Sequence, residues 1–152
     1  MTAMADTFAK ALASLPHGPE FRFLDRLLSL DPGKEGVGEY LLRGDEPWLR
    51  GHLPGEPLLP GVLLVEAAAQ LAGVVAQNDP VITPVPGLKL TALRAVKILG
   101  TARPGETVRL EARITGRLGT LVQAEATAYV ADAKVLSAEL TLGGTENSVP
   151  RV

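Results

Sequence analysis

One stretch of the chain gathers residues able to do acid–base chemistry: Gly51-His52-Leu53-Pro54-Gly55-Glu56-Pro57-Leu58-Leu59-Pro60-Gly61-Val62-Leu63-Leu64-Val65-Glu66-Ala67-Ala68-Ala69-Gln70. An imidazole suits proton abstraction near neutral pH. His52 stands at the head of a segment whose prolines restrict the backbone and so fix its place. Glu66 lies inside an otherwise apolar run, and burial among apolar side chains favours a carboxyl that holds its proton. Its i+4 neighbour is Gln70, and Val62 and Gly73 share roughly that face. Pro60 suits the first turn of a helix, and Leu59 before it has no side-chain oxygen with which to cap. The N–H groups of Gly61, Val62 and Leu63 are therefore expected to lack partners at the positive end of the helix dipole. A glycine there allows close approach, which makes the helix start a plausible carbonyl or oxyanion site. Each feature has a plainer reading. A lone glutamate in an apolar helix often sits at its edge or pairs with arginine, and a histidine beside a proline-rich turn is often a structural hydrogen-bonder.

The elements around this block follow from periodicity. Phe8, Ala9, Leu12 and Ala13 fit one face of a short N-terminal helix, which Leu15 to Glu20 interrupts. Phe21 to Leu30 mixes apolar and charged residues without a clear period. Asp31-Pro32-Gly33-Lys34 is a turn, and Gly36 to Leu42 alternates weakly as a strand. Pro47, Gly51, Pro54, Gly55, Pro57, Pro60 and Gly61 then make one rigid, irregular segment. The pattern predicts a helix over about 62–77, closed by Asn78-Asp79-Pro80. Leu88 to Leu99 reads as a strand. Alternation at Val108 to Ile114, Val122 to Val130 and Leu136 to Leu142 predicts an antiparallel meander. Its faces carry many alanines, so a bulky element can lie close against it, and the long helix is the obvious one. This is an α+β arrangement, an antiparallel sheet around one central helix.

Composition limits the alternatives. The chain has 152 residues, no cysteine and two histidines. That length suits one domain over 1–152, burying about 70% of the unfolded surface. Without cysteine there is no thiol nucleophile, disulfide framework or Cys-containing zinc site. A net charge of -2 argues against a dedicated nucleic-acid binder. The longest apolar stretch, Val62 to Ala76, holds Glu66 and Gln70 and is too short to span a bilayer. Met1 to Ser14 shows no secretory signal pattern, which with the missing cysteine points to the cytoplasm. Walker, G-x-S-x-G and H-E-x-x-H motifs are absent, and the glycines of Gly33 to Gly38 are in the wrong order for a dinucleotide loop.

The central block resembles the FabZ-type (3R)-hydroxyacyl-acyl-carrier-protein dehydratases of fatty-acid synthesis. Their pattern, G-H-F-P-G-x-P-x-x-P-G-x-x-x-x-E-A-x-A-Q, is met with one departure, at Leu53. Glu46-Pro47-Trp48-Leu49 is similar to the family's N-E-P-F-F stretch, and Pro104-Gly105-Glu106 to its P-G-D turn. Leu15-Pro16-His17, Phe21, Asp25 and Arg26 are similar to its L-P-H-x-x-x-F-x-x-x-D-R start, so the resemblance covers about 15–142. The related isomerase-dehydratase branch has Asp where this chain has Glu66. Two departures bear on the acyl chain and the carrier. Gly18 replaces a frequent arginine, and Val96-Lys97-Ile98-Leu99-Gly100-Thr101 replaces a basic, aromatic-containing run.

The resemblance implies a hotdog fold and a dehydratase that needs no cofactor or metal. It implies that His52 takes the C2 proton of a 3-hydroxyacyl thioester and that Glu66 protonates or orients the departing 3-hydroxyl. It gives Gly61, with Val62 beside it, the thioester carbonyl. It implies a partner, the acyl carrier protein bearing the chain, and a homodimer or trimer of dimers with His and Glu from different subunits. Neither nucleic acid nor membrane is implied. By position Arg94, Lys97 and Arg103 are candidates to guide an acidic carrier, against the alternative of solvated strand-edge charges. His17 lies outside the block and reads as structural. A thioesterase with Glu66 activating water, and a non-catalytic acyl-binding or assembly partner, are the rival functions.

Overall fold

The computed structural model describes residues 2–145.

The apolar helix forms as its pattern predicts, one residue longer at its start: α3 spans Gly61–Gln77, after α1 (Thr2–Leu12) and a short α2 (Leu49–His52). The strands are β1 (Arg26–Asp31), β2 (Glu35–Leu41), β3 (Lys89–Ile98), β4 (Thr107–Leu118), β5 (Leu121–Val130) and β6 (Ala133–Gly143). They form one six-stranded antiparallel sheet in the order β1-β2-β4-β5-β6-β3. The meander β4-β5-β6 is as the alternation indicates. A two-residue turn joins β5 to β6, with Ala131 and Asp132 both at positive φ, 47° and 67°. Two elements were not foreseen. One is β1, in the mixed stretch; the other is α2, inside the segment read as irregular.

α3 lies across β2, β4, β5 and β6, the hotdog arrangement. Leu64, Leu71, Val74 and Val75 are fully buried beneath it, and Val122, Ala124, Ala126 and Ala128 of β5 meet it with almost no exposure. Small side chains on that strand let the helix axis come close, because interiors pack densely and each methyl sets a distance. Gly36 of β2 does the same at the helix's far end, where a Cβ would stand 2.9 Å from Val75 Cγ2.

The segment before α3 is fastened at both ends. Glu46 accepts hydrogen bonds from Tyr40 O–H (2.6 Å) and from the N–H groups of Arg43 (3.1 Å) and Gly44 (2.6 Å). Burial works to raise the Glu46 carboxyl, yet these donors prevail and hold it below its ordinary value. Burial and the same carboxylate push the Tyr40 phenol above its usual range. The Glu46 carbonyl accepts from Leu49 N–H at 3.0 Å, and Trp48 packs edge-on against Phe23, 5.8 Å between ring centres. Further along, Leu59 donates to the Ala102 carbonyl at 2.9 Å and accepts from the Thr101 hydroxyl. The block thus runs between two anchors on the sheet.

Candidate active site

His52 is the last residue of α2 and is exposed. Its Nδ1 lies 3.2 Å from the Leu58 carbonyl oxygen. A carbonyl only accepts, so this contact places the ring proton on Nδ1 and leaves Nε2 with a free lone pair. Leu58 precedes the anchored Leu59, so the acceptor that fixes the tautomer is itself held by the sheet.

α3 begins without a side-chain cap, at Pro60. Among the described residues no acceptor meets the N–H of Gly61 or Val62. Leu63 departs from expectation: its N–H reaches the Pro60 carbonyl at 2.9 Å, a 3-10-type closure of the first turn. Two free N–H groups, not three, therefore stand at the positive end of this 17-residue helix. Gly61 is needed for close approach, since a Cβ there would lie 2.9 Å from Ile98 Cδ1. The Val62 side chain is 72% exposed.

Glu66 is half-buried, at 22% side-chain exposure. Its Oε1 receives Gln70 Nε2 at 3.2 Å, and His17 Nε2 stands 3.2 Å from the same oxygen. Gln70 is 2% exposed and its amide is fully committed: Nε2 also donates to the Phe21 carbonyl (2.8 Å), and Oε1 accepts from Phe23 N–H (2.9 Å). It ties the segment ahead of β1 to the helix. We predict that Gln70→Leu lowers the unfolding free energy by about 2–4 kcal/mol, because the buried Phe23 N–H and the part-buried Phe21 carbonyl would lose their partner. Urea denaturation measures this, and a loss under about 1 kcal/mol would contradict the clamp.

The structure thus brings Glu66 together with Gln70, as the i+4 spacing indicates, and with His17, which the sequence reading set aside as structural. Among the described residues no hydrogen bond or ion pair joins His52 to Glu66. The signal for His17 lay in the L-P-H motif, but nothing local in the sequence points it at α3. Alongside Glu66 and His17 opens a largely apolar groove of about 600 Å³, walled by Ala69, Gly73, Leu88, Leu90 and Leu142. A Cβ added to Gly73 would meet nothing within 4 Å, so the helix presents open space there. Arg94, Lys97 and Arg103 are exposed, and Arg94 lies 3.5 Å from Glu139. Among the described residues no group of three or more His, Asp or Glu side chains is placed to hold a metal. No helix among them is long and apolar enough to cross a membrane.

Residues 15–139 match the FabA-like domain family. The chain is 37% identical over 136 residues to the 3-hydroxyacyl-[acyl-carrier-protein] dehydratase FabZ of Chloroflexus aggregans, covering 89% of this chain and 93% of that protein. It is 36% identical over 132 residues to the protein of the same name from Thermoanaerobacter sp., covering 87% and 92%. Among solved structures, the dehydratase heterocomplex ApeI:P from Xenorhabdus doucetiae is similar with a TM-score of 0.75, at 15% identity over 93% of each chain. Zebra fish thioesterase superfamily member 2 is similar with a TM-score of 0.68, at 14% identity over 95% of this chain and 97% of that one. These two likenesses bear on fold alone, and both agree with the sheet and helix described above. With the sequence relatives aligned over nearly their whole length, this chain belongs to the FabA-like domain family and, within it, to the FabZ-type 3-hydroxyacyl-[acyl-carrier-protein] dehydratases.

Proposed function

We propose that the protein dehydrates (3R)-3-hydroxyacyl chains carried on acyl carrier protein, giving trans-2-enoyl thioesters for fatty-acid or related synthesis. One observation carries the reading. A single helix has free N–H groups at Gly61 and Val62 and, about 7 Å along its axis, a half-buried carboxyl that opens on an apolar groove. His52 Nε2 removes the C2 proton, and the electron pair moves into the thioester carbonyl. The Gly61 N–H, with Val62 beside it, stabilises the oxygen that gains charge. The pair then returns from the carbonyl oxygen to form the C2=C3 double bond as Glu66 gives its proton to the 3-hydroxyl, the C3–O bond breaks, and water leaves. The proton on His52 returns to Glu66 through solvent. The groove beside Glu66 takes the acyl chain against leucine and alanine side chains.

A second copy of the chain completes the site. Among the described residues β3 pairs only with β6, so its other edge offers unpaired backbone groups. Leu93 and Ile98 on that strand are 48% and 49% exposed, and Ile98 lies beside Gly61 at the start of α3. Burial of this edge against its symmetry mate brings His52 of one protomer to Glu66 of the other. Arg94 and Lys97 on that strand, with Arg103 in the loop that leaves it for β4, guide the acidic carrier.

The test is the product formed from carrier-bound 3-hydroxyacyl chains of several lengths, read by mass spectrometry. Loss of one water with the thioester intact is expected. Release of free acid would make the protein a thioesterase. Saturable binding without turnover, and without deuterium entering C2 from heavy water, would make it an acyl-binding partner.

A further inference from the structure

The two carboxyl oxygens of Glu66 are not equivalent. Oε1 is approached by His17 Nε2 and Gln70 Nε2, each at 3.2 Å. Oε2 has no hydrogen-bond partner among the described residues. His17 Nδ1 is buried and likewise has none. A buried N–H without an acceptor is rarer and more costly than a bare acceptor without a donor. The ring proton therefore belongs on Nε2, where it meets Oε1 of Glu66, and not on Nδ1. The backbone that carries the ring is pinned, and one aromatic ring lies alongside it. Arg22 donates to the His17 carbonyl (2.9 Å) and to the Leu15 carbonyl (3.2 Å), and the Phe21 ring stacks on the imidazole at 6.2 Å.

We infer that His17 is a positioning residue for the acid. Through Nε2–H it fixes Oε1 of Glu66, so that the exchangeable proton is carried on Oε2, the oxygen left open. The inference rests on reading Glu66 as the group that protonates the departing hydroxyl. An untethered carboxyl spreads its proton over two oxygens, and only one orientation delivers it. Holding Oε1 with two donors removes the unproductive orientation before substrate arrives, which is preorganisation of a proton donor. In the step itself the Oε2–H bond breaks, an O–H bond forms on the leaving hydroxyl, and the C3–O pair departs as water. His17 keeps its own proton throughout.

The test compares His17→Leu and His17→Gln with wild type, since the glutamine amide supplies an N–H donor and leucine does not. His17→Leu is expected to lose about tenfold or more in kcat with KM within about twofold. His17→Gln is expected to recover to within about threefold of wild type, and both variants should melt alike. Near-wild-type kcat in the leucine variant overturns the inference. A glutamine variant as slow as a folded leucine variant does so too. A second readout does not depend on the leucine variant folding. With His52→Asn leaving one imidazole, ¹⁵N spectra should show His17 as the Nε2–H tautomer, its Nε2 resonance moving when Glu66→Gln is added. An Nδ1–H tautomer, or an unmoved resonance, counts against the tether. Absence of dehydration in wild type would instead sink the dehydratase reading, and the tautomer alone would then decide the His17–Glu66 tether.

Discussion

His52→Ala is expected to lower kcat on carrier-bound 3-hydroxyacyl substrate by about 10²–10⁴-fold, the usual contribution of a positioned general base, while the protein stays folded. The two halves of that expectation have separate causes. The C2 proton of a thioester is weakly acidic, and no other imidazole is free to take it, because His17 faces Glu66 in the same chain. Fold is spared because the His52 side chain is exposed and, among the described residues, its one hydrogen bond is with the Leu58 carbonyl. Losing a solvent-exposed hydrogen bond of this kind costs about 1 kcal/mol or less. Steady-state kinetics beside a thermal melt makes the check. Turnover within tenfold of wild type, in a protein free of wild-type contamination, would remove His52 from the role of base.

Glu66→Gln is expected to lower kcat by about 10²-fold or more with little change in unfolding free energy. The substitution keeps shape and keeps an oxygen for His17 and Gln70 to meet, so the cluster around Phe21 and Phe23 survives. What it removes is an acid, because an amide gives up no proton to a departing hydroxide. The same variant reports on the second subunit. When His52→Ala and Glu66→Gln proteins are mixed and allowed to exchange, a shared site regenerates one intact centre in each mixed dimer. Half of the dimers are mixed at equal concentrations, so about a quarter of wild-type activity is expected to return. No recovery after demonstrated exchange would mean that each protomer works with its own His52 and Glu66.

Much of this architecture was legible from residue pattern because the pattern is physically enforced. The strands β4, β5 and β6 alternate since each has one face on α3 and one in water, as at Val122, Ala124, Ala126 and Ala128. α3 announced itself by length, by its Pro60-Gly61 start and by an apolar run interrupted at Glu66 and Gln70. β1 gave no such signal because it lies at the sheet edge with only Leu27 buried and a register shift between Leu27 and Ser29. α2 is four residues long, too short for a period, and exists because Leu49 is buried and its N–H is held by the Glu46 carbonyl. At the site, Glu66, Gln70 and the free N–H groups of Gly61 and Val62 could be read along one helix. The Leu63 N–H could not, since its partner depends on how tightly the first turn winds. His17 was missed for a different reason. Its meeting with Glu66 is made by tertiary folding, through Gln70 drawing the segment of Phe21 and Phe23 onto the helix.

The alanine stripe of β5 has a consequence for how this protein can change over generations. Ala124, Ala126 and Ala128 set the height at which α3 rides over the sheet. That height also places the carboxyl of Glu66 and the first turn at Gly61, because both belong to one rigid rod. Larger residues in the stripe would add buried apolar surface, a gain for stability only if the helix rises to admit them. They would also lift the rod and carry the reacting groups away from their register. Selection for heat tolerance and selection for turnover therefore pull on the same three methyl groups in opposite directions. Variation that leaves both intact is expected at the outer face and the rim, where no side chain touches the rod.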